Sequence, residues 1–327
     1  MTSDAQRDNP SKALHVVPCI ATYKRPEGLR ALLQSLSRLD LAGLDARLTL
    51  VVVDNAPEEP ASDKLGDLNL LSDWPVIYLK EPRRGIVAAR NRSLAGIPAD
   101  ADYIAFLDDD ETVSEIWLRE MLATVQQPKT TAVQGPVEPN YAAPPPGWID
   151  ELGIFKFGPF EQNAELPAAA TNNSMIDAGF VREHGLKFDM RFNTSGGEDE
   201  EFYRRVRRAG GTIRAAANAV VWDQVPRQRM TFRWVARRAF RTGNTLGRIS
   251  LLTKTGRTLR FAKGVGALGW GTVMCLLLGL GSKKRLILGA KEVFRGAGML
   301  SAFVGFSFQE YSKSAVAIDR NAVNQHE

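Results

Sequence analysis

Tyr103-Ile-Ala-Phe-Leu-Asp108-Asp109-Asp110-Glu111 sets a short apolar run directly against four carboxylates. A strand that is apolar on both faces is buried in a parallel sheet, and its first polar residues emerge at the carboxyl edge, where open α/β folds place ligands. Crowded carboxylates repel one another. A divalent cation relieves that repulsion and leaves coordination positions for phosphate oxygens. The competing reading is a helix start: Thr112 or Ser114 would cap a helix over Ser114 to Gln127, with acids in its first turn. That explains one or two of the carboxylates better than four.

Outward from this run, short apolar stretches alternate with helical patterns between His15 and about Gly135, which predicts βαβ units in a doubly wound, mostly parallel α/β sheet. Strands are expected at Leu14 to Ala21, Leu48 to Val53, Val76 to Leu79, Tyr103 to Leu107 and Thr131 to Gln134. Helices are expected at Pro26 to Leu39, Gly85 to Leu94 and Ser114 to Gln127, the first with Leu29, Leu32, Leu33, Leu36 and Leu39 on one face. Residues 136 to 170, rich in proline, glycine and aromatics, predict irregular structure, either a cover over a site or a packed surface loop. A helix from Glu198 to Ala209, a strand from Thr212 to Trp222 and an arginine-rich helix from Thr231 to Arg248 complete the pattern. The domain division expected is a leader over 1–12, a catalytic domain over 13–228 (nucleotide-binding part 13–135, acceptor part 136–228), a helical appendage over 229–312 and a disordered tail over 313–327.

Lys and Arg number 42 against 37 Asp and Glu, a net charge of +5, and the cations gather after Arg204, as expected for an anionic partner. The two cysteines, Cys19 and Cys275, build no disulfide framework. Met1 to Lys12 is polar and lacks the apolar core of a secretory signal, so the N-terminal domain is expected in the cytoplasm. Val265 to Gly281 is uncharged and at the lower limit for crossing a bilayer; Lys283-Lys284-Arg285 follows it. Leu286 to Phe308 is interrupted by Lys291, Glu292 and Arg295, which fits a helix or shallow hairpin lying in a membrane interface, or a buried helical pair.

Four predicted loops at the carboxyl edge carry polar groups: Thr22-Tyr23-Lys24-Arg25-Pro26, Asp54-Asn55, Arg83-Arg84-Gly85 leading to Arg90 and Asn91, and the aspartate run. Each has a plainer reading as a turn, a cap or a solvated helix face. Together they supply what a nucleoside diphosphate needs: a carboxylate for an imide, guanidinium groups for a carbonyl or phosphate, and a metal site.

In VVPCIATYKRPEGL, LVVVDNAP, RGIVAARNRSL, YIAFLDDDE and GGEDEEFYRRVRRAG, in this order over about residues 14 to 225, the chain resembles the family-2 glycosyltransferases. These are inverting enzymes of the GT-A fold that use nucleotide-activated sugars, and the likeness is greatest to the bacterial transferases of succinoglycan-type exopolysaccharide synthesis. The resemblance implies that Thr22, Tyr23, Arg25, Asp54, Arg84, Arg90, Asp108 and Asp109 line the nucleotide site. Asp108 and Asp110 would hold Mg2+ or Mn2+, the triple run leaving two registers open, and Asp223 stands where many relatives have a histidine near the metal. Asp199 of the Glu198-Asp199 pair would be the catalytic base, at a helix N-terminus whose dipole favours ionised acids. Thr171, Asn172 and Asn173 occupy the place where the family contacts donor or acceptor sugar. Arg233-Trp234 is similar to the end of the QxxRW motif of processive synthases, but Met230 stands at the glutamine position, which implies one sugar per encounter.

The implied partners are a nucleotide-sugar donor of the UDP-linked type, a lipid-linked or oligosaccharide acceptor and a membrane surface, with no nucleic acid, at the cytoplasmic face of the cell membrane. A sugar-phosphate nucleotidyltransferase shares the sheet and metal but needs a glycine-rich loop after the first strand, where this chain has Thr22-Tyr23-Lys24-Arg25-Pro26. A non-enzymatic protein that binds lipid or RNA through the arginine helix is the remaining alternative.

Overall fold

The computed structural model describes residues 13–252, 256–279 and 281–309, so the leader expected over 1–12 and the tail over 313–327 lie outside the described residues. The elements run β1 (Leu14–Thr22), α1 (Pro26–Leu36), β2 (Ala46–Leu48), β3 (Leu50–Asp54), α2 (Ala61–Leu65), β4 (Val76–Lys80), α3 (Ile86–Ala95), β5 (Tyr103–Asp108), β6 (Glu111–Val113), α4 (Trp117–Val125) and β7 (Ala132–Gln134). They continue with β8 (Val137–Tyr141), α5 (Gly147–Glu151), β9 (Ser174–Asp177), α6 (Ala178–Glu183), α7 (Glu198–Arg208), β10 (Ile213–Ala215), β11 (Val221–Val225), α8 (Phe232–Leu252), α9 (Arg257–Val273) and α10 (Lys283–Phe303).

The main sheet has the order β10-β7-β9-β5-β1-β3-β4, with β2 also paired to β1. Its pairings are parallel except that β9 runs antiparallel to β5 and β7. β1 is apolar on both faces because helices cover both. Proline in the first turn of α1 suits the fixed φ required there, and Leu29, Leu32, Leu33 and Leu36 turn onto one face of the sheet, fully buried. Each such leucine contributes about 2 kcal/mol by leaving water. Val17, Val51, Val53 and Phe106 form the opposite core with Phe202 and Val206 of α7.

The expected strand Leu48 to Val53 divides at Thr49, whose N–H bonds the Val16 carbonyl while its hydroxyl meets the His15 ring at 2.9 Å. The expected strand Thr212 to Trp222 also divides. β10 joins the main sheet, residues 216–220 turn, and β11 enters a second sheet of order β6-β11-β8. Ala216 and Ala219 are buried in this turn and, with Ala215 at the end of β10, give the apolar signal of a longer strand. Residues 136–170 include β8 and α5, and Ile149 and Phe155 form a small third core with Val225 and Met230.

The C-terminal helices pack on one another through glycine. Cβ atoms added to Gly243 and Gly298 would collide with the carbonyl oxygens of Arg295 and Phe240, so α8 and α10 touch backbone to backbone. Gly271 and Gly296 play the same part between α9 and α10, where Cβ atoms would come within 2.6 Å of the Gly289 oxygen and the Leu268 nitrogen. Within the glycine-rich apolar run, Gly271 is thus explained by close helix packing, whereas Gly266 and Gly269 face open space. Among the described residues, no helix is long and apolar enough to cross a membrane.

Substituting Gly298 by valine should cost about 1–3 kcal/mol, because neither backbone can yield. Gly266 has open space around it, and its change to alanine should stabilise by about 0.5–1 kcal/mol through helix propensity. Thermal melts of the two variants against the parent check the contrast: Gly298→Val below it and Gly266→Ala at or above it.

Candidate active site

Strand order brings the predicted loops to one edge. Thr22 stands opposite Asp54, and Ala21 opposite Asp108, so the ends of β5, β1 and β3 lie side by side. The triple aspartate run then separates by direction. Asp109 turns inward and accepts from the Thr22 hydroxyl at 2.8 Å, the Tyr23 N–H at 3.3 Å and Arg25 at 3.0 Å. Gly28 lets α1 approach this turn, since a Cβ there would strike the Asp109 carbonyl oxygen. Thr22 and Asp109 therefore build the frame of the cleft, their polar atoms paired with each other below the surface.

Asp108 and Asp110 turn outward. Asp108 retains 40% of its side-chain exposure, and its second neighbour Asp110 contacts Arg25 at 2.8 Å and Arg229 at 3.4 Å. Arg229 also lies 3.8 Å from Asp223 on β11, and the Asp110 carbonyl accepts the Gln224 N–H at 2.9 Å, which fastens β11 to the run. Glu111 closes the group from below, its carboxylate accepting the Asp108 N–H at 2.9 Å. Withdrawal from water, followed by mutual repulsion, pushes the Asp108 carboxyl up to about 6 and that of Asp223 up to about 7, with Arg90 and Arg229 pulling the other way. Glu111 is raised well above the usual range for the same reasons. For Arg25, burial works against the charge, but Asp109 and Asp110 outweigh it and raise the guanidinium above its ordinary value.

This donor set fits a hard divalent cation: the outward groups offer oxygen alone, and a cation would offset the burial and mutual repulsion that raise their pKa. Among the described residues, no group of three or more His, Cys, Asp or Glu side chains is placed to hold a metal ion by itself. An ion here would take one or two carboxylates from Asp108, Asp110 and Asp223 and the rest of its shell from phosphate and water, as Mg2+ commonly does. Asp108 and Asp110 are the outward pair of the triple run.

α7 delivers the next two carboxylates. Gly197 at its N-cap has φ 90°, a left-handed conformation suited to glycine, and so starts the helix at Glu198. Glu198, 4% exposed, pairs with Arg90 of α3, whose other arm reaches Asp108 at 3.2 Å. Its Oε2 is buried with no hydrogen-bond partner. Burial pushes the Glu198 carboxyl up to about 7 despite Arg90, with Asp199 adding to the rise, so the helix-start field expected to keep it ionised is outweighed. Asp199 is half-buried beside it and accepts the Glu200 N–H at 2.7 Å. Arg90 thus joins the outward aspartates to the start of α7.

The loop next to this cleft is shaped by amides. Asn55 accepts the Gly85 N–H at 2.8 Å and donates to the Glu81 and Arg83 carbonyls; Asn193 accepts the Ala88 N–H at 2.9 Å and donates to the Arg84 carbonyl at 2.8 Å. Arg84 is thereby set over the Tyr23 ring, 4.9 Å from its centre. Asp54 is 1% exposed and accepts from the Ala56 and Ala61 N–H groups and the Tyr78 hydroxyl at 2.6–2.8 Å. It holds the 55–61 loop. Asn173, fully buried, accepts from Trp117 Nε1 and donates to the Pro136 and Ala219 carbonyls. Thr171 is buried nearby, and Asn172 Oδ1 is buried with no partner among the described residues.

Glu111, within the quoted run, and Asn193, which carries no local signal, join the site without having been singled out by the sequence, and Arg229 joins it from the segment after β11.

The sequence profile described as glycosyl transferase family 2 matches residues 19–185, and that of glycosyl transferase family group 2 matches residues 103–288. The succinoglycan biosynthesis protein ExoM of Rhizobium meliloti (strain 1021) is 32% identical over 90% of this chain and 95% of its own length. The chain belongs to glycosyl transferase family 2. Solved structures of similar fold include the mannosyltransferase PcManGT from Pyrobaculum calidifontis in complex with GDP-Man and Mn2+, with a TM-score of 0.59 at 15% identity over 89% of this chain and 87% of that one. Another is S. aureus TarS 1-349 in complex with UDP-GlcNAc, with a TM-score of 0.51 at 12% identity over 89% of this chain and 92% of that one. This family-2 glycosyltransferase therefore has the expected GT-A type α/β fold followed by a helical C-terminal region.

Arg90→Ala in this glycosyltransferase would strand the buried Glu198 carboxylate, and breaking such a pair costs about 3–5 kcal/mol. Urea unfolding should show that loss, with partial recovery in Arg90→Ala/Glu198→Gln because the orphan charge is gone.

Proposed function

We propose that this glycosyltransferase is an inverting enzyme that moves a sugar from a uridine-diphosphate donor to a lipid-linked or growing glycan in polysaccharide and cell-envelope assembly. The observation that carries the reading is the convergence of Asp108, Asp110 and Asp223 with Arg25, Arg229 and Arg90 beside Asp199, at the ends of β5, β11 and α7. Mg2+ or Mn2+ at Asp108 and Asp110, with Asp223 alongside, would supply charge neutralisation for a diphosphate leaving group. Arg25 and Arg229, partly exposed and already turned to this cluster, bind the same diphosphate and favour the charge it gains as the bond to the sugar breaks. Asp199 takes the proton of the acceptor hydroxyl as that oxygen attacks from the opposite face, which inverts the anomeric centre. Arg84 and Tyr23 flank the nucleoside end of the cleft. The name of the Rhizobium meliloti relative, a succinoglycan biosynthesis protein, supports the polysaccharide setting.

Donor chemistry and acceptor activation are separable in this arrangement. Asp199→Asn should keep the thermal stabilisation given by UDP with Mn2+, since ligands that bind only the native state raise its melting point, while losing sugar transfer. Asp108→Ala/Asp110→Ala should lose the stabilisation as well. Full turnover in Asp199→Asn would remove the base from the scheme.

The acceptor reading places the enzyme at the cytoplasmic face of a membrane. Leu259, Phe261, Val265, Trp270, Leu276 and Leu277 are exposed on or just after α9, and Lys263, Lys283, Lys284 and Arg285 carry positive charge beside them. A bundle with that outer face lies in an anionic interface rather than across it. Sedimentation with anionic vesicles should exceed that with neutral ones and should fall in Trp270→Asp/Leu277→Asp; equal sedimentation of parent and variant would remove the membrane from the account.

A further inference from the structure

Behind the catalytic carboxylates, on the other side of the small sheet, lies a cleft of about 530 Å3 between α1, β6 and β11. Side chains alternate across a strand, and Glu111 pairs with Asp223 while Thr112 pairs with Trp222. Glu111 and Asp223 belong to the carboxylate cluster, so Thr112 and Trp222 present the opposite face, where they line the cleft with Gln34, Arg38, Ser114 and Glu115.

Two independent observations mark this cleft as built for a ligand. The Ser114 hydroxyl is buried with no hydrogen-bond partner among the described residues, and neither Thr112 nor the exposed Gln34, Arg38 and Glu115 makes a side-chain hydrogen bond or ion pair among them, whereas Ser35 is spent on the Leu32 carbonyl and the Val113 N–H. The amides Asn55, Asn173 and Asn193, by contrast, are committed to the protein's own backbone. Beside these idle groups stands the Trp222 ring, 38% exposed. A pyranose offers a C–H face to an aromatic ring and hydroxyls that both donate and accept around its rim, which matches a tryptophan surrounded by an amide, two hydroxyls, a guanidinium and a carboxylate. The opposite charges of Arg38 and Glu115 favour a neutral ligand over a nucleotide.

We propose that this cleft is a second saccharide site, holding neutral sugar units of the acceptor glycan at a distance from the reacting hydroxyl. That the sugars belong to the acceptor rests on the transfer reaction proposed above; the saccharide site itself does not. Binding at both ends makes the second contact intramolecular and favours longer acceptors.

The test is ligand-observed saturation-transfer NMR on the full chain without donor or metal, using neutral tetrasaccharides of different linkage (cellotetraose, maltotetraose and laminaritetraose) as probes. At least one should receive saturation, with affinity reduced about tenfold in Trp222→Ala and in Gln34→Ala/Arg38→Ala, the loss expected when a central aromatic or its polar partners are removed. Both variants should keep the parent's thermal response to UDP with Mn2+, which reports an intact fold and donor site. No saturation of any probe by the parent, or unchanged affinity in both variants, overturns the proposal. A chain that binds a tetrasaccharide through Trp222 yet gives no response to UDP with Mn2+ keeps the cleft and loses the donor reading, so the two ideas fail separately.

Discussion

Repulsion among carboxylates at the end of β5 is the constraint around which the molecule is arranged. Asp108, Asp109, Asp110 and Glu111 follow one another without a break, and no local structure disperses their charge. The fold distributes them instead: Asp109 goes inward to Thr22 and Arg25, Glu111 goes beneath to the Asp108 amide, and Asp108 and Asp110 are left facing outward. Three arginines from distant parts of the chain, Arg25, Arg90 and Arg229, then gather around the outward pair. Each arginine belongs to a different structural unit, so a single charge problem draws the first loop, α3 and the segment after β11 to one point.

Much of this was readable in advance, and the limits have physical causes. β1, α1, β4 and β5 announced themselves through unbroken apolar runs or a leucine face, and their boundaries agree to within a few residues. The breaks at Thr49 and at residues 216–220 were missed because small or β-branched residues there are as apolar in pattern as the strands they interrupt. The site was legible as a set of residue types but not as a set of directions. Thr22, Asp54, Asp109 and Asn173 carry the chemistry of ligand contacts, yet their partners lie within the protein, and a partner more than a hundred positions away, such as Asn193 for Ala88, leaves no trace in local spacing. Charge invites both uses, and only burial separates them.

The C-terminal helices show the same ambiguity in apolar form. Glycine and leucine without charge describe a membrane segment and a tightly packed helical pair equally well. Here the glycines face the neighbouring helices, at Gly243, Gly271, Gly296 and Gly298, while Leu259, Trp270 and Leu277 remain outside. One stretch of sequence serves both packing and surface, divided by helical phase.

The bracket formed by Asn193 has a temporal side. Its amide closes the loop at Arg84 and Ala88 from more than a hundred residues downstream, and β9 and β10, also late in the chain, fill one flank of the sheet begun by β1. During synthesis the first half therefore emerges with the loop at Arg84 unbraced and one sheet margin bare, and such margins invite wrong pairing. Completion of the early half of the sheet waits on the ribosome's delivery of the late one.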